Sequence, residues 1–386
     1  MSLLKSTIHN YNDKNNQDKL MKITKIKIFK IDLPMKEGSY SWAKQSFSSF
    51  DSTIVIIETD VGISGVGETC PLGPSYLPAY AEGARTGIAK LAPNLIGLDP
   101  TEIYSIGFKM DELLNGHPYA KSAIDMACWD ILGKNTKLPV YQLLGGLINK
   151  EVKLFKVISR RDPDEMAKNI ISYQKRGFKQ FQMKVGENVN DDIERIFKVS
   201  EKLDKGNILN ADANTGWLQH EAIRVVKAVR DIDVYIEQPC KSYEECLSVR
   251  KHTDHPFILD ECMDSINMLI RGYNDNAMDV VNLKINRVGG LTKARQFRDL
   301  CITLGIHMTI EDSWGGEIVT SAIAHLAHST PKAFHFQSSA FHEYTEVEIA
   351  KGGPTIKDGF MKASDLPGLG VEPNYDALGE PVSEIS

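Results

Sequence analysis

Two lysines and three carboxylates, Lys184, Asp212, Glu237, Asp260 and Lys284, stand at or near the ends of five successive apolar runs, FQMKVG, ILNADAN, VYIEQP, FILDEC and VVNLKINRVGG. Their spacings of 28, 25, 23 and 24 residues are those of repeated strand-helix units. A charged side chain that closes an apolar strand sits at its C-terminal end, and in a parallel α/β barrel those ends form the catalytic face. The five side chains are therefore expected at one mouth. Asp212, Glu237 and Asp260 would supply hard oxygen donors suited to Mg²⁺, with coordination positions left for water and substrate. Such an ion would act as a Lewis acid on a substrate carboxylate and on the enediolate left when its α-proton is removed. Lys184 and Lys284, from strands two and six of eight, would face each other across the mouth. They would serve as an acid-base pair on the two faces of the α-carbon, provided burial or a nearby cation brings their pKa down from ~10.4. A lone aspartate at a strand end is more often a helix cap, and a lone lysine there a solvated side chain. The regular trio between two lysines is what points to chemistry.

The elements that must position these groups are legible in the same periodicity. Apolar runs at about 152–157, 179–185, 207–212, 232–237, 256–260, 279–285, 306–311 and 333–338 alternate with helical segments such as PDEMAKNIISYQKRG and LTKARQFRDLCITLG. Eight such strands predict an α/β fold, a closed parallel barrel of the TIM type. After Ser338 glycines and prolines punctuate the chain and no good amphipathic helix follows, so the last crossover is expected to be missing. Ahead of the barrel, residues 22–33, 52–59 and 63–69 alternate in hydropathy around the turn Asp60-Val61-Gly62, which predicts a three-stranded antiparallel meander. Helical patterns follow at about 81–114 and 119–134. The expected division is a disordered tail over 1–20, an N-terminal α+β capping domain over 21–146, a barrel over 147–340, and a C-terminal segment over 341–386. Two long loops of the cap, SYSWAKQSFSSF and CPLGPSYLPAY, are rich in aromatics and of a length that is often functional.

With 386 residues, 42% hydrophobic and 25% charged, the chain has the composition of a soluble protein with a large core. A net charge of -6 gives no electrostatic case for nucleic acid. No apolar run reaches the ~18 residues of a membrane span, and the polar, Asn-rich start is unlike a signal peptide. Six scattered cysteines without CxxC spacing read as buried free thiols in a reducing cytoplasm. A homo-oligomer is expected only because such assemblies are common.

Lysine, acid, acid, acid, lysine in this order resembles the enolase superfamily, specifically its muconate lactonizing enzyme-like subgroup. The stretch SAIDMACWDILGK with PV and LLGG resembles the junction of that family's cap and barrel. The resemblance implies a modified (β/α)7β barrel, one Mg²⁺ per site on Asp212, Glu237 and Asp260, and a two-base reaction at Lys184 and Lys284. One departure is at Gln182: many members carry Lys-x-Lys on this strand, where this chain has Gln-Met-Lys. Gln182 can donate a hydrogen bond to a carboxylate but brings no charge, which a cationic substrate would offset. Trp42 and Tyr76 on the cap loops and Trp314 after strand seven are the aromatic faces that would hold such a cation. The FQMKVG strand, the GPSYLPAY loop and the DSWGGE turn resemble the branch that handles proline betaine, hydroxyproline betaine or cis-3-hydroxy-L-proline. The leading expectation is a racemase or epimerase of a cyclic amino-acid betaine, with Gln182, Tyr76, Trp314 and Trp42 touching substrate. Dehydration of cis-3-hydroxy-L-proline is the alternative, and shares the first step. Dipeptide epimerisation ranks lower, since FHFQSSAFHEY has no Asp-x-Asp, and cycloisomerisation has no positive support. A non-catalytic ligand-binding barrel is disfavoured by the cost of crowding five ionisable groups.

Overall fold

The long apolar alternation that begins the ordered chain becomes β1 (Ile23–Pro34), whose inward Ile26 and Ile28 are fully buried. In this computed structural model residues 21–43 and 45–386 are described, so the tail expected over 1–20 lies outside the described residues. A short ribbon follows, β2 (Tyr40–Trp42) and β3 (Gln45–Phe47), and then β4 (Ser49–Thr59) and β5 (Ser64–Thr69). β4 pairs antiparallel with both β1 and β5, the expected meander, and the last strand of the chain, Ser383–Ile385, adds to the free edge of β1.

Three helices, α1 (Ala81–Leu91), α2 (Ile103–Leu113) and α3 (Pro118–Thr136), pack beside this sheet. α3 is buried on nearly every side because it is wedged between cap and barrel. Gly65 and Gly67 lie on one face of β5, and a Cβ on either would come within 2.2 Å or less of the Ala127 or Ala123 carbonyl of α3. The strand can therefore lie directly on the helix backbone. Two buried acids of α3 tie the other sides together: Asp125 accepts from the N–H and hydroxyl of Thr292, and Asp130 accepts from the N–H groups of Val66 and Leu369.

The barrel consists of eight parallel strands in sequential order: Phe155–Ile158, Gln180–Lys184, Ile208–Asp212, Tyr235–Glu237, Phe257–Leu259, Val280–Lys284, His307–Glu311 and His335–Ser338. A parallel bridge between Leu154 and Ser338 joins the eighth strand to the first. Amphipathic helices such as Val189–Ser200 cover the outside. Among the described residues no long helix follows strand eight; the chain passes through a small hairpin (Thr355–Lys357 and Phe360–Lys362) and a four-residue helix (Tyr375–Leu378) before rejoining β1. The missing eighth crossover agrees with the glycine- and proline-rich sequence there. All six cysteines are free, and no helix among the described residues is long and apolar enough to cross a membrane.

Candidate active site

Strand register decides which side chains meet at the mouth. Lys184 is the cross-strand neighbour of Asp212, and Asp212 of Glu237, so the three stand side by side at the ends of strands two, three and four. Asp260 follows strand five directly, and Lys284 ends strand six opposite Glu311 of strand seven. All five expected groups are at most 5% exposed. The turns that follow are backbone-strained: Asn214, Thr215 and Gln238 have φ of 43°, 65° and 33°. Such non-glycine conformations persist only where the surroundings enforce them. Gly186, with φ of 98°, lets the turn after Lys184 approach Ala213, whose carbonyl a Cβ would meet at 2.2 Å.

Each carboxylate has its own set of donors. Asp212 accepts from Lys184 Nζ at 2.5 Å and from the Asn214 N–H. Asp260 is met by Lys284 Nζ at 2.9 Å and Arg287 at 2.7 Å, and the Tyr76 hydroxyl lies 3.2 Å away. Glu237 is held by three amides, those of Gln182, Asn210 and Asn282. Burial, followed by the charges of Asp212 and Asp260, pushes the Glu237 carboxyl well above its ordinary range. Burial alone would lower Lys184, but Asp212, Tyr40 and Glu237 together raise it; at Lys284, Asp260 and Glu311 likewise overcome burial. Both lysines are thus ammoniums here, engaged with the acids. A lysine can accept a proton only if something else takes up those negative charges.

The donor chemistry fits a hard divalent ion in that role. Three crowded carboxylates lie beside amide and carboxyl oxygens that are buried without a partner: Asn210 Oδ1, Asn214 Oδ1, Asn282 Oδ1 and Glu261 Oε2. Oxygen ligands of this kind are what Mg²⁺ takes. In the present arrangement the ammoniums of Lys184 and Lys284 compensate the acids, and among the described residues no three His, Cys, Asp or Glu side chains are gathered into a cation cage.

A cavity of about 30 Å³ lies over these groups, lined by Lys184, Lys284, Asp212 and Gln182 from the barrel and by Trp42 and Tyr76 from the cap loops. Gln182 lines it, but its amide nitrogen is spent on both oxygens of Glu237, at 3.1 and 3.0 Å. Trp314 does not line it, which corrects its reading as a substrate contact. The indole is 1% exposed and packed among Tyr40, Phe50, Phe341 and Tyr344, with ring centroids 4.7 to 5.8 Å apart. It backs the rings of Tyr40 and Phe341, and these are the ones that reach the cavity. Sequence reasoning missed them, together with Glu311 and Arg287. Glu311 carried a usable signal, since it closes the seventh apolar run as the other charged residues close theirs. Its buried carboxyl lies 3.7 Å from Lys284 Nζ and is pushed up to about 7, chiefly by burial.

Residues 25–145 match the N-terminal domain of the mandelate racemase and muconate lactonizing enzyme family, and residues 165–377 match the enolase C-terminal domain-like family. The chain belongs to the enolase superfamily. It is 56% identical to the cis-3-hydroxy-L-proline dehydratase of Roseibium aggregatum over 95% of this chain and 100% of that one. It is 32% identical to the N-succinyl-L-Arg/Lys racemase of Bacillus cereus, over 93% and 98%. Among solved structures, a mandelate racemase/muconate lactonizing enzyme from Roseovarius nubinhibens superimposes with a TM-score of 0.93 at 41% identity, covering 95% of this chain and 99% of that one. An enolase superfamily member from the same organism, complexed with magnesium, gives 0.90 at 40%, covering 95% and 100%. The relatives carry the names of a racemase, epimerases and a dehydratase, and the chain is an enzyme of this superfamily.

Proposed function

We propose that this enzyme dehydrates cis-3-hydroxy-L-proline, removing the C2 proton and the 3-hydroxyl to give a cyclic enamine that tautomerises to the imine. The observation that carries the reading is the pair Lys184 and Lys284, on strands two and six of one eight-stranded mouth, lining one cavity. The substrate's hydroxyl and carboxylate share a ring face, so its α-hydrogen points to the other face. Loss of water is therefore an anti elimination, which needs a base on one side of the ring and an acid on the other. One lysine takes the C2 proton; the electron pair left behind forms the C2–C3 double bond as the hydroxyl departs, protonated by the opposite lysine, as water. The 56% identity to a dehydratase of this substrate, over that protein's whole length, supports the same choice.

Bound by Asp212, Glu237 and Asp260, Mg²⁺ would supply Lewis-acid charge to the substrate carboxylate. Around it, the amides of Gln182, Asn210 and Asn282 hold Glu237 in a fixed orientation. Trp42, Tyr40 and Phe341 give the cavity apolar walls that exclude water from the carbanionic centre. The Glu311 carboxyl, buried at the rim beside Lys284, suits the N–H groups of a secondary ring ammonium, which a quaternary betaine lacks.

Epimerisation of proline betaine is the second reading, favoured by the aromatic lining of Trp42 and Tyr76. It loses one expected wall, because Trp314 is turned into the core. The test is incubation of the enzyme and Mg²⁺ with cis-3-hydroxy-L-proline and, separately, with proline betaine. Imine from the first with unchanged betaine supports dehydration; inverted betaine with intact hydroxyproline overturns it.

A further inference from the structure

The two lysines are each met by a tyrosine, and the tyrosines come from different loops of the cap. On one side Tyr76 of the 71–80 loop presents its hydroxyl to Lys284 Nζ at 2.7 Å and to Arg287 at 3.1 Å, with Asp260 at 3.2 Å. Two cations donate to this oxygen and one carboxylate can take its proton, so the hydroxyl's orientation is fixed. On the other side Tyr40, the first residue of β2, sits with its ring centroid 6.0 Å from Lys184 Nζ, within reach of a cation–π contact. Both tyrosines line the catalytic cavity; Tyr40 is buried and Tyr76 half-buried. Trp42 joins the two loops, its ring 5.3 Å from Tyr40 and 6.4 Å from Tyr76. The barrel thus supplies the lysines, and the cap supplies a tyrosine beside each.

We propose that Tyr40 and Tyr76 are positioning residues, each holding one lysine for one face of the substrate: Tyr40 for Lys184 and Tyr76 for Lys284. A lysine ammonium on a four-carbon stem has many rotamers, and proton transfer needs its nitrogen within hydrogen-bond reach of the α-carbon's substituent. Once the acids are engaged elsewhere, the tyrosine, by its hydroxyl at Lys284 and by its ring face at Lys184, is the contact that keeps each nitrogen directed at its own face. The partnership is not symmetric. Arg287 braces Tyr76 with a guanidinium that also grips the Asp260 carboxylate and carbonyl. This inference rests on the two-lysine reading above.

The experiment is α-proton exchange in D₂O with Mg²⁺, read by NMR on L-proline and D-proline, which lack the leaving group and present the α-hydrogen to opposite faces. Dehydration of cis-3-hydroxy-L-proline is followed in parallel. Wild-type enzyme that neither exchanges nor dehydrates refutes the functional reading itself. Given wild-type activity, Tyr76→Phe is expected to slow exchange of one configuration, and Tyr40→Leu, which removes the ring face at Lys184, that of the other. The loss at Tyr76 should be about ten- to a hundredfold in turnover with KM little changed, the effect of one hydrogen bond to a charged group, and the loss at Tyr40 about two- to thirtyfold, the effect of one aromatic face on an ammonium. Arg287→Lys, which keeps the charge but not the fork that spans Asp260 and Tyr76, should slow the same configuration as Tyr76→Phe. Melting curves identify any variant that fails to fold, and the remaining members of the set then decide. Equal slowing of both configurations by each folded variant, or no slowing by any, overturns the proposal.

Discussion

Two regions of this protein bury polar side chains and treat them in opposite ways. Behind the barrel, where the helix Glu317–His328 meets the C-terminal segment, three buried histidines each use both ring nitrogens. His325 accepts from the Tyr141 N–H and donates to the Leu369 carbonyl; His328 donates to the Asn149 carbonyl and accepts from the Ala363 N–H. His335 lies within reach of the Asn149 amide and the Ser338 hydroxyl. Each ring of the first two is thereby fixed as a single neutral tautomer, and the seam ties chain segments remote in sequence. At the mouth, by contrast, four oxygens are buried without a partner, like charges crowd together, and turns beside the acids are strained. Satisfied burial stabilises; unsatisfied burial costs about 1–3 kcal/mol per group and is retained where a ligand will complete it.

The largest effect expected from this contrast is at the mouth. Glu237→Gln should lower turnover about 10³-fold or more, since it removes a central carboxylate of the proposed ion site. It should leave the melting temperature unchanged or raised, because a crowded, desolvated charge is removed. A large drop in melting temperature would mean that the mouth, too, is chiefly structural.

The seam should respond in the reverse sense. His325→Phe leaves the Tyr141 N–H and Leu369 carbonyl unpaired and should cost about 2–5 kcal/mol of stability, with turnover at 25 °C preserved in the folded fraction. Denaturant titration alongside the activity assay separates the two. An equal fall in specific activity of the folded enzyme would merge the regions that the comparison divides.

Acid sharpens the distinction further. Burial pushes His325 from 6.5 down to about 4 and His335 down to about 3, so both stay neutral in the folded protein. Their folded values lie below the unfolded one, so the stability they give is fully present above pH 6.5. It is lost progressively as pH falls toward 4 and then 3. Denaturation midpoints measured down this range should decline, and the decline should be shallower in His325→Phe. An unchanged slope in that variant would remove the seam as its source.

The smallest effect is expected at Trp314. Trp314→Phe should cost about 1–2 kcal/mol of stability, as single core substitutions do, and leave KM within about twofold, because the indole touches Tyr40 and Phe341 and not the cavity. A strong rise in KM with stability intact would restore it as a substrate contact.

What the sequence revealed and what it hid follow from the same physics. The barrel and its five charged groups were legible because strand periodicity and the spacing of strand ends are local properties, and register then brings Lys184, Asp212 and Glu237 together without further information. The missing eighth helix was legible in the glycines and prolines after Ser338. Trp314 was misjudged because position on a loop says nothing of the direction of a side chain, which here is set by Phe50 and Tyr344, hundreds of residues and tens of residues away. Tyr40 escaped notice among several aromatics of one loop, and Arg287 because a helical turn after strand six aims it back at Asp260. The partners of His325 and His328 lie in distant segments, and no pattern in the chain announces such pairings.

The central claim, two opposed lysines carrying out an anti elimination, is tested most directly by cis-3-hydroxy-L-proline in D₂O with Mg²⁺ and three proteins: wild type, Lys184→Ala and Lys284→Ala. The account predicts imine from wild type, a rate lower by about 10²-fold or more from either variant as expected for loss of a general acid or base, and residual α-proton exchange in only one of the two. Imine formed at the wild-type rate by either folded variant would contradict it.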